Sequence, residues 1–253
     1  MNAAHIPVLG DAHTTRSLLG VNFHALPAGR AIDILDAHVR HRVPIKVAFA
    51  NAHTLNTARI NARYREVLQR FAVFNDGVGV NLASWLRFGQ RFPDNLNGTD
   101  FVPAYLERSL LPLRVFLLGA RPQVVERAYE AARRRFPHHE WVGFRDGYFT
   151  LDDEAELLAT LRGKRVNLLL VAMGNPLQEL WIDRCAAASR ATACIGVGAL
   201  FDFLAGEVGR APAWVRRSRL EWAWRLLLEP RRLWRRYLVG NATFLWHAWR
   251  ERR

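Results

Sequence analysis

Cysteine is almost absent. The 253-residue chain has two, Cys185 and Cys194, nine positions apart and with no second pair. That supports neither a disulfide framework nor a zinc site, and the expectation is two buried thiols in a reducing cytoplasm. The opening stretch MNAAHIPVLGDAHTT lacks a basic head, an apolar run and a cleavage pattern, so export is not expected. No run of about 18 apolar residues occurs, which argues against a spanning helix. The full G-x-G-x-x-G fingerprint is also missing, so dinucleotide binding is not indicated. Acidic residues are few beside basic ones, 23 Asp and Glu against 36 Lys and Arg, giving a formal net charge of +13. A balance this basic implies an anionic partner: nucleic acid, acidic lipid or a phosphorylated substrate.

What is present is a long alternation of apolar runs and helical patterns, with half of the residues hydrophobic. Buried strands are expected within 18–24, 45–50, 71–74, 113–119, 141–144, 166–172 and 193–198. Helices are expected between them over 28–42, 54–69, 80–88, from 99, 124–136, 152–161 and 180–189. This predicts a Rossmann-like α/β core, a mostly parallel sheet with helices on both faces, over 17–206 after a loose leader, 1–16. In such sheets ligands bind at the carboxyl ends of the strands. Asp76 stands there, in Asn75-Asp76-Gly77 directly after Phe71-Ala72-Val73-Phe74, and so do Asn51 and His53 after the preceding strand. Asp-Gly after a strand is more often only a turn. Competing carboxylates are Asp100, at a helix start where capping is the usual role, Asp146 in another turn, and Asp202 after a glycine-rich strand end.

From Glu207 the pattern changes to arginine-rich helices, expected over 214–229 and 231–252 with a break at Pro230. Arginine greatly outnumbers lysine, and Trp214, Trp222, Trp224, Trp234, Trp246 and Trp249 are interleaved with it. Leu227 and Leu228 fall near one face of the first helix; Trp234, Leu238, Phe244, Leu245 and Trp249 repeat the theme in the second. Arginine with indole suits a membrane interface better than a nucleic-acid groove, so 207–253 is expected to be a helical, membrane-associating appendage. A basic nucleic-acid-binding protein is the rival reading, but no nucleic-acid motif accompanies the charge.

Several motifs occur in order: NDGVG (75–79), NGTD (97–100), LLGA (117–120), DGYF (146–149) and GNPLQE (174–179). GVGALFDFLAGEVGRAPAWV (196–215) and EWAWRLLLEPRRLWRRY (221–237) follow. Together they resemble the WecG/TagA/CpsF family of bacterial glycosyltransferases over 21–237. The resemblance implies an inverting, metal-independent transfer of a hexose from a UDP-sugar to a polyprenyl-diphosphate-linked sugar at the inner face of the cytoplasmic membrane. It makes Asp76 the base and places Asn51 and Gln178 at the substrates; Asn75, Asn97, Asp100 and Asp202 are expected to bind substrate beside them. No D-x-D metal motif is present, so the leaving diphosphate is expected to meet amides at Gly196 and Gly198 and guanidinium groups of Arg210, Arg225, Arg232 and Arg235. One position departs from the family: Asn95 stands where many members carry arginine, which leaves Arg87 or Arg91 to take that duty or donor recognition to differ. The NLNGTDF form resembles branches that add glucose in exopolysaccharide synthesis.

Overall fold

The computed structural model describes residues 15–209, 212, 215, 221–228 and 230–251; the side chains of 221, 222, 225, 228, 232, 233, 236 and 237 lie outside that description. The chain opens with a hairpin, β1 (Thr15–Leu18) and β2 (Val21–His24), paired antiparallel. Leu19 and Gly20 turn it with φ of 50° and 75°, the two positive angles that a type I′ turn requires. The single strand expected over 18–24 is therefore two. Thr15 and Arg16, assigned to the leader, are strand residues opposite His24 and Phe23.

The alternation follows: α1 (Ala28–His41), β3 (Ile45–Ala50), α2 (Ala52–Ile60), α3 (Ala62–Leu68), β4 (Ala72–Asn75), α4 (Val78–Phe88) and α5 (Gly98–Arg108). Then come β5 (Arg114–Gly119), α6 (Pro122–Arg135), β6 (Glu140–Arg145), α7 (Leu151–Gly163), β7 (Leu168–Ala172), α8 (Leu177–Ser189), β8 (Ala193–Gly196) and α9 (Leu200–Leu204). The helix expected over 54–69 is divided at Asn61, whose extended backbone ends α2 and whose side chain accepts the Tyr64 N–H to start α3.

Among the described residues eight strands form one sheet in the order β1-β2-β4-β3-β8-β7-β5-β6, and every pairing after the hairpin is parallel. Side chains alternate between two cores. Val47 and Phe49 join α1, α5, α6 and α9 on one face. Ala48 and Ala50 join α2, α3, α4, α7 and α8 on the other. Burial on both faces is what a parallel sheet needs, and it leaves the strand ends as the place where polar side chains gather.

The C-terminal segment continues as α10 (Glu221–Leu228), α11 (Pro230–Trp234), a π-helical turn over Arg235–Val239 and α12 (Gly240–Arg250). Pro230 occupies the first position of α11, where its missing N–H has no intrahelical role. Phe244 and Ala248, four apart on α12, are buried in the second core against α2 and α4. The lipid-facing position expected for Phe244 is thus corrected, because its ring is inside the protein. Asn56 Nδ2 donates to the Gly240 carbonyl at 2.8 Å, and the Glu251 carboxylate accepts the Leu19 N–H at 2.8 Å while pairing with Arg87. Among the described residues no helix is long and apolar enough to cross a membrane.

Candidate active site

The carboxyl ends of β3, β4, β5, β7 and β8 open on a cleft of about 1320 Å3. Asp76, the first residue after β4, is half-buried in its wall. Two bonds place it. Its backbone N–H donates to the Ala50 carbonyl at 2.9 Å, extending the β3–β4 ladder by one residue. Its Oδ2 accepts from Asn51 Nδ2 at 3.1 Å. Asn51 is itself fixed as the N-cap of α2: its Oδ1 accepts the His53 and Thr54 N–H groups at 3.0 and 3.2 Å, so the amide can only present nitrogen to Asp76. Capping and positioning are therefore one arrangement.

The 94–100 segment braces the same turn. Asn95 Oδ1 accepts the Gly77 N–H at 2.7 Å, and Asn75 Nδ2 donates to the Asp94 carbonyl at 2.9 Å. Asn75, expected at the substrates, is wholly buried and does not line the cleft; it fixes the loop from beneath. Asn97, not Asp100, caps α5, accepting the Asp100 N–H at 2.9 Å and the Thr99 hydroxyl at 2.7 Å, while its Nδ2 donates to Asp100 Oδ2 at 3.0 Å. Asn97 and Asp100 both line the cleft.

On the opposite wall Gln178 is buried, with Oε1 accepting the Gly198 N–H at 3.1 Å and Nε2 donating to Glu179 Oε1 at 2.7 Å. A Cβ at Gly196 would lie 2.8 Å from Gln178 Nε2, so the glycine is there to let this amide approach the strand. Gly196 sits in the ladder between Ala48 and Val171, and the Gly198 N–H is committed to Gln178. A diphosphate bound at the Gly198 amide would therefore compete with the Gln178 oxygen for that donor. Asp202, on α9, lines the cleft beside them.

The arginines fare differently. Arg235 is exposed with its guanidinium 5.3 Å from the Trp234 ring centre and is not a cleft residue. Arg210 and the side chains of Arg225 and Arg232 lie outside the described residues. Arg87 pairs with Glu251 and Arg91 is exposed, and neither lines the cleft. Arg121, which no motif reading singled out, does line it, directly after the Gly119-Ala120 turn of β5 and 3.5 Å from Glu207. Tyr148 of DGYF also lines it, whereas Asp146 only closes its own turn by accepting the Tyr148 N–H. Leu238, Asn241 and Leu245 bring the C-terminal segment to the same cleft.

Beneath Gln178 lies a buried polar group whose partners come from distant parts of the chain. Glu179 is fully buried, with Oε2 accepting the Tyr64 hydroxyl at 3.0 Å and Oε1 accepting Asn175 Nδ2 at 2.7 Å. Burial pushes its carboxyl above the usual glutamate range, opposed by the hydrogen bonds it accepts. Tyr64 is raised by burial and by the neighbouring Glu179. Among the described residues no three His, Cys, Asp or Glu side chains form a group that would hold a metal ion.

The family model described as the glycosyl transferase WecG/TagA/CpsF family matches residues 16–253. The chain is 33% identical over 194 residues to the N-acetylglucosaminyldiphosphoundecaprenol N-acetyl-beta-D-mannosaminyltransferase of Bacillus spizizenii, an alignment covering 76% of this chain and 74% of that protein.

Proposed function

This chain belongs to the WecG/TagA/CpsF family of glycosyltransferases, and from that premise we propose that it moves a hexose from a UDP-sugar to a polyprenyl-diphosphate-linked sugar, with inversion and without a metal ion. The observation that carries the reading is Asp76: a half-buried carboxylate at a strand end, on the wall of a large cleft, held through one oxygen by Asn51. In the proposed step the acceptor hydroxyl oxygen attacks the anomeric carbon, its proton passes to Asp76, and the bond to UDP breaks with the electron pair leaving on the diphosphate. A single displacement of this kind inverts the anomeric centre and needs one base rather than a pair of carboxylates.

The relative from Bacillus spizizenii supports N-acetylmannosamine as donor sugar through its name, while the NLNGTDF stretch supports glucose through its resemblance to exopolysaccharide enzymes. The uronic acid of N-acetylmannosamine is the third candidate. A peripheral position on the inner membrane surface is supported by exposed indoles on packed helices, Trp85 of α4 and Trp246 of α12, each 49% exposed. Arg250 holds its guanidinium 4.7 Å from the Trp246 ring centre, the pairing of cation and indole that suits an anionic interface.

The test is transfer from labelled UDP-glucose, UDP-N-acetylmannosamine and its uronic acid to a synthetic lipid-diphosphate sugar, with and without EDTA. One donor is expected to react, to give the anomer opposite to its own, and to do so equally well in EDTA. No transfer from any UDP-sugar would end the reading, a retained anomer would end the single displacement, and loss of rate in EDTA would end metal independence.

A further inference from the structure

The buried group under the cleft wall has a use that packing does not explain. Gln178 must offer oxygen to the Gly198 N–H and nitrogen to the Glu179 carboxylate, and only one orientation of its amide serves both. The same carboxylate oxygen accepts from Asn175 Nδ2. Asn175, Gln178 and Gly198 all line the cleft, while Glu179 itself is buried behind them and does not. Oε1 of Glu179 thus ties together the loop after β7, the first turn of α8 and, through Gln178, the loop after β8. Its other oxygen points away, to Tyr64 on α3.

We propose that Glu179 is a positioning residue for the transfer reaction, holding Asn175 and Gln178, and through Gln178 the Gly196–Gly198 loop, in the geometry that receives the donor. This rests on the glycosyltransferase reading of the cleft. A buried carboxylate is costly to keep where an apolar side chain would fill the space. Here it faces two amide NH2 groups and a phenol, all donors; an apolar residue would take the acceptor from the Gln178 NH2 and the Tyr64 O–H, leave the Asn175 NH2 only its longer bond of 3.3 Å to the Tyr64 oxygen, and let the wall shift. A shift of the order of 1 Å in groups that orient a substrate costs on the order of 100-fold in rate.

Two substitutions separate positioning from proton transfer. In Glu179→Gln the new carbonyl oxygen takes the Oε1 place, since an NH2 there would face two other NH2 groups, and the new NH2 donates to the Tyr64 oxygen, whose own O–H turns away; the two bonds on the cleft side are kept and only the one to α3 is reversed. The wall stays where it is, so kcat is expected within about threefold of wild type, with an unaltered pH profile. Glu179→Leu removes both acceptors, and kcat is expected to fall about 10- to 100-fold with a smaller change in donor KM. The amide resonance of Gly198 should move in the leucine variant and stay in the glutamine variant. Near-wild-type kcat in folded Glu179→Leu would overturn the proposal. So would a Glu179→Gln variant as impaired as the leucine one, or one with a displaced pH profile, because either makes the charge and not the geometry decisive. If Glu179→Leu does not fold, Gln178→Leu cuts the same tie one residue nearer the cleft; wild-type turnover there would overturn the proposal equally. Wild-type enzyme runs beside every variant, so failure of the UDP-sugar reading shows as no wild-type transfer, whereas failure of this inference shows as transfer that the variants do not order.

Discussion

Replacing Asn51 by serine and, separately, by alanine divides two duties that one side chain performs with two atoms. Its oxygen caps α2 through the His53 and Thr54 N–H groups, and its nitrogen holds Asp76 Oδ2 at 3.1 Å. Serine keeps a capping oxygen and loses the nitrogen; alanine loses both. A lost N-cap costs about 1 kcal/mol, which for a chain of this size lowers the melting temperature by roughly 2–4 °C. Asn51→Ala should therefore melt lower by that amount and Asn51→Ser close to wild type. A hydrogen bond to a charged group is worth about 1.5–3 kcal/mol. If it aims the base, its loss should lower kcat/KM roughly 10- to 100-fold, and to a similar degree in both variants. Thermal unfolding and initial rates at saturating acceptor measure the two effects on the same preparations. Serine with wild-type turnover would refute the positioning of Asp76 by Asn51. Serine that melts as low as alanine would refute the cap.

The other predictions concern the base, the C-terminal helix and the membrane. Asp76→Asn should keep its fold by circular dichroism and melting and lose about 100- to 10,000-fold in kcat; a variant retaining a tenth of the turnover would move the base elsewhere. Phe244→Ala should cost about 3–5 kcal/mol in urea unfolding, as a large ring leaves a packed core; a loss below about 1 kcal/mol would mean that α12 is not held there. Trp246→Ala combined with Trp249→Ala should weaken sedimentation with anionic liposomes while transfer to a detergent-solubilised acceptor continues, and unchanged sedimentation would remove the indoles from the membrane contact.

The alternation of strands and helices was legible because period-two and period-3.6 patterns are local. Asp76 was legible for the same reason: an apolar run ending in Asn-Asp-Gly marks a strand end whatever the strand's neighbours are. The hairpin was not, since its turn pairs Gly20 with Leu19, a residue that rarely takes a positive φ, and a lone glycine in an apolar run also fits a continuous strand. Nor was the strand order, which depends on pairings such as Val47 with Ile195, brought together from opposite ends of the core. Gln178 was found through its motif, but the adjacent Glu179 was not, because its burial depends on Tyr64, 115 positions away. A carboxylate in the first turn of a helix reads as ordinary helix chemistry until its partners are in place. Arg121 carries no such signal, because the residue just past a strand-end turn reads as an ordinary surface cation until the cleft is formed beside it.

The C-terminal helix α12 divides its residues between two surroundings. At about 100° per residue, Trp246 and Trp249 lie roughly 200° and 140° round α12 from Phe244, whereas Ala248 lies only about 40° away. One face therefore enters the core through Phe244 and Ala248 while the other presents the tryptophans outward. Leu245 and Asn241, at intermediate angles, reach the cleft. Deleting 231–253 would thus remove core packing, a stretch of cleft wall and any lipid contact together, and reduced liposome binding after such a truncation would not isolate the last. Changing the outward tryptophans alone leaves Phe244 and Ala248 in place, so the surface effect can be measured on a protein whose cleft is intact. Because the outward face and the cleft residues share one short rigid helix, docking of that face on a bilayer would fix the height of the cleft wall above it, bringing the acceptor's lipid-borne sugar and Asp76 into a common frame.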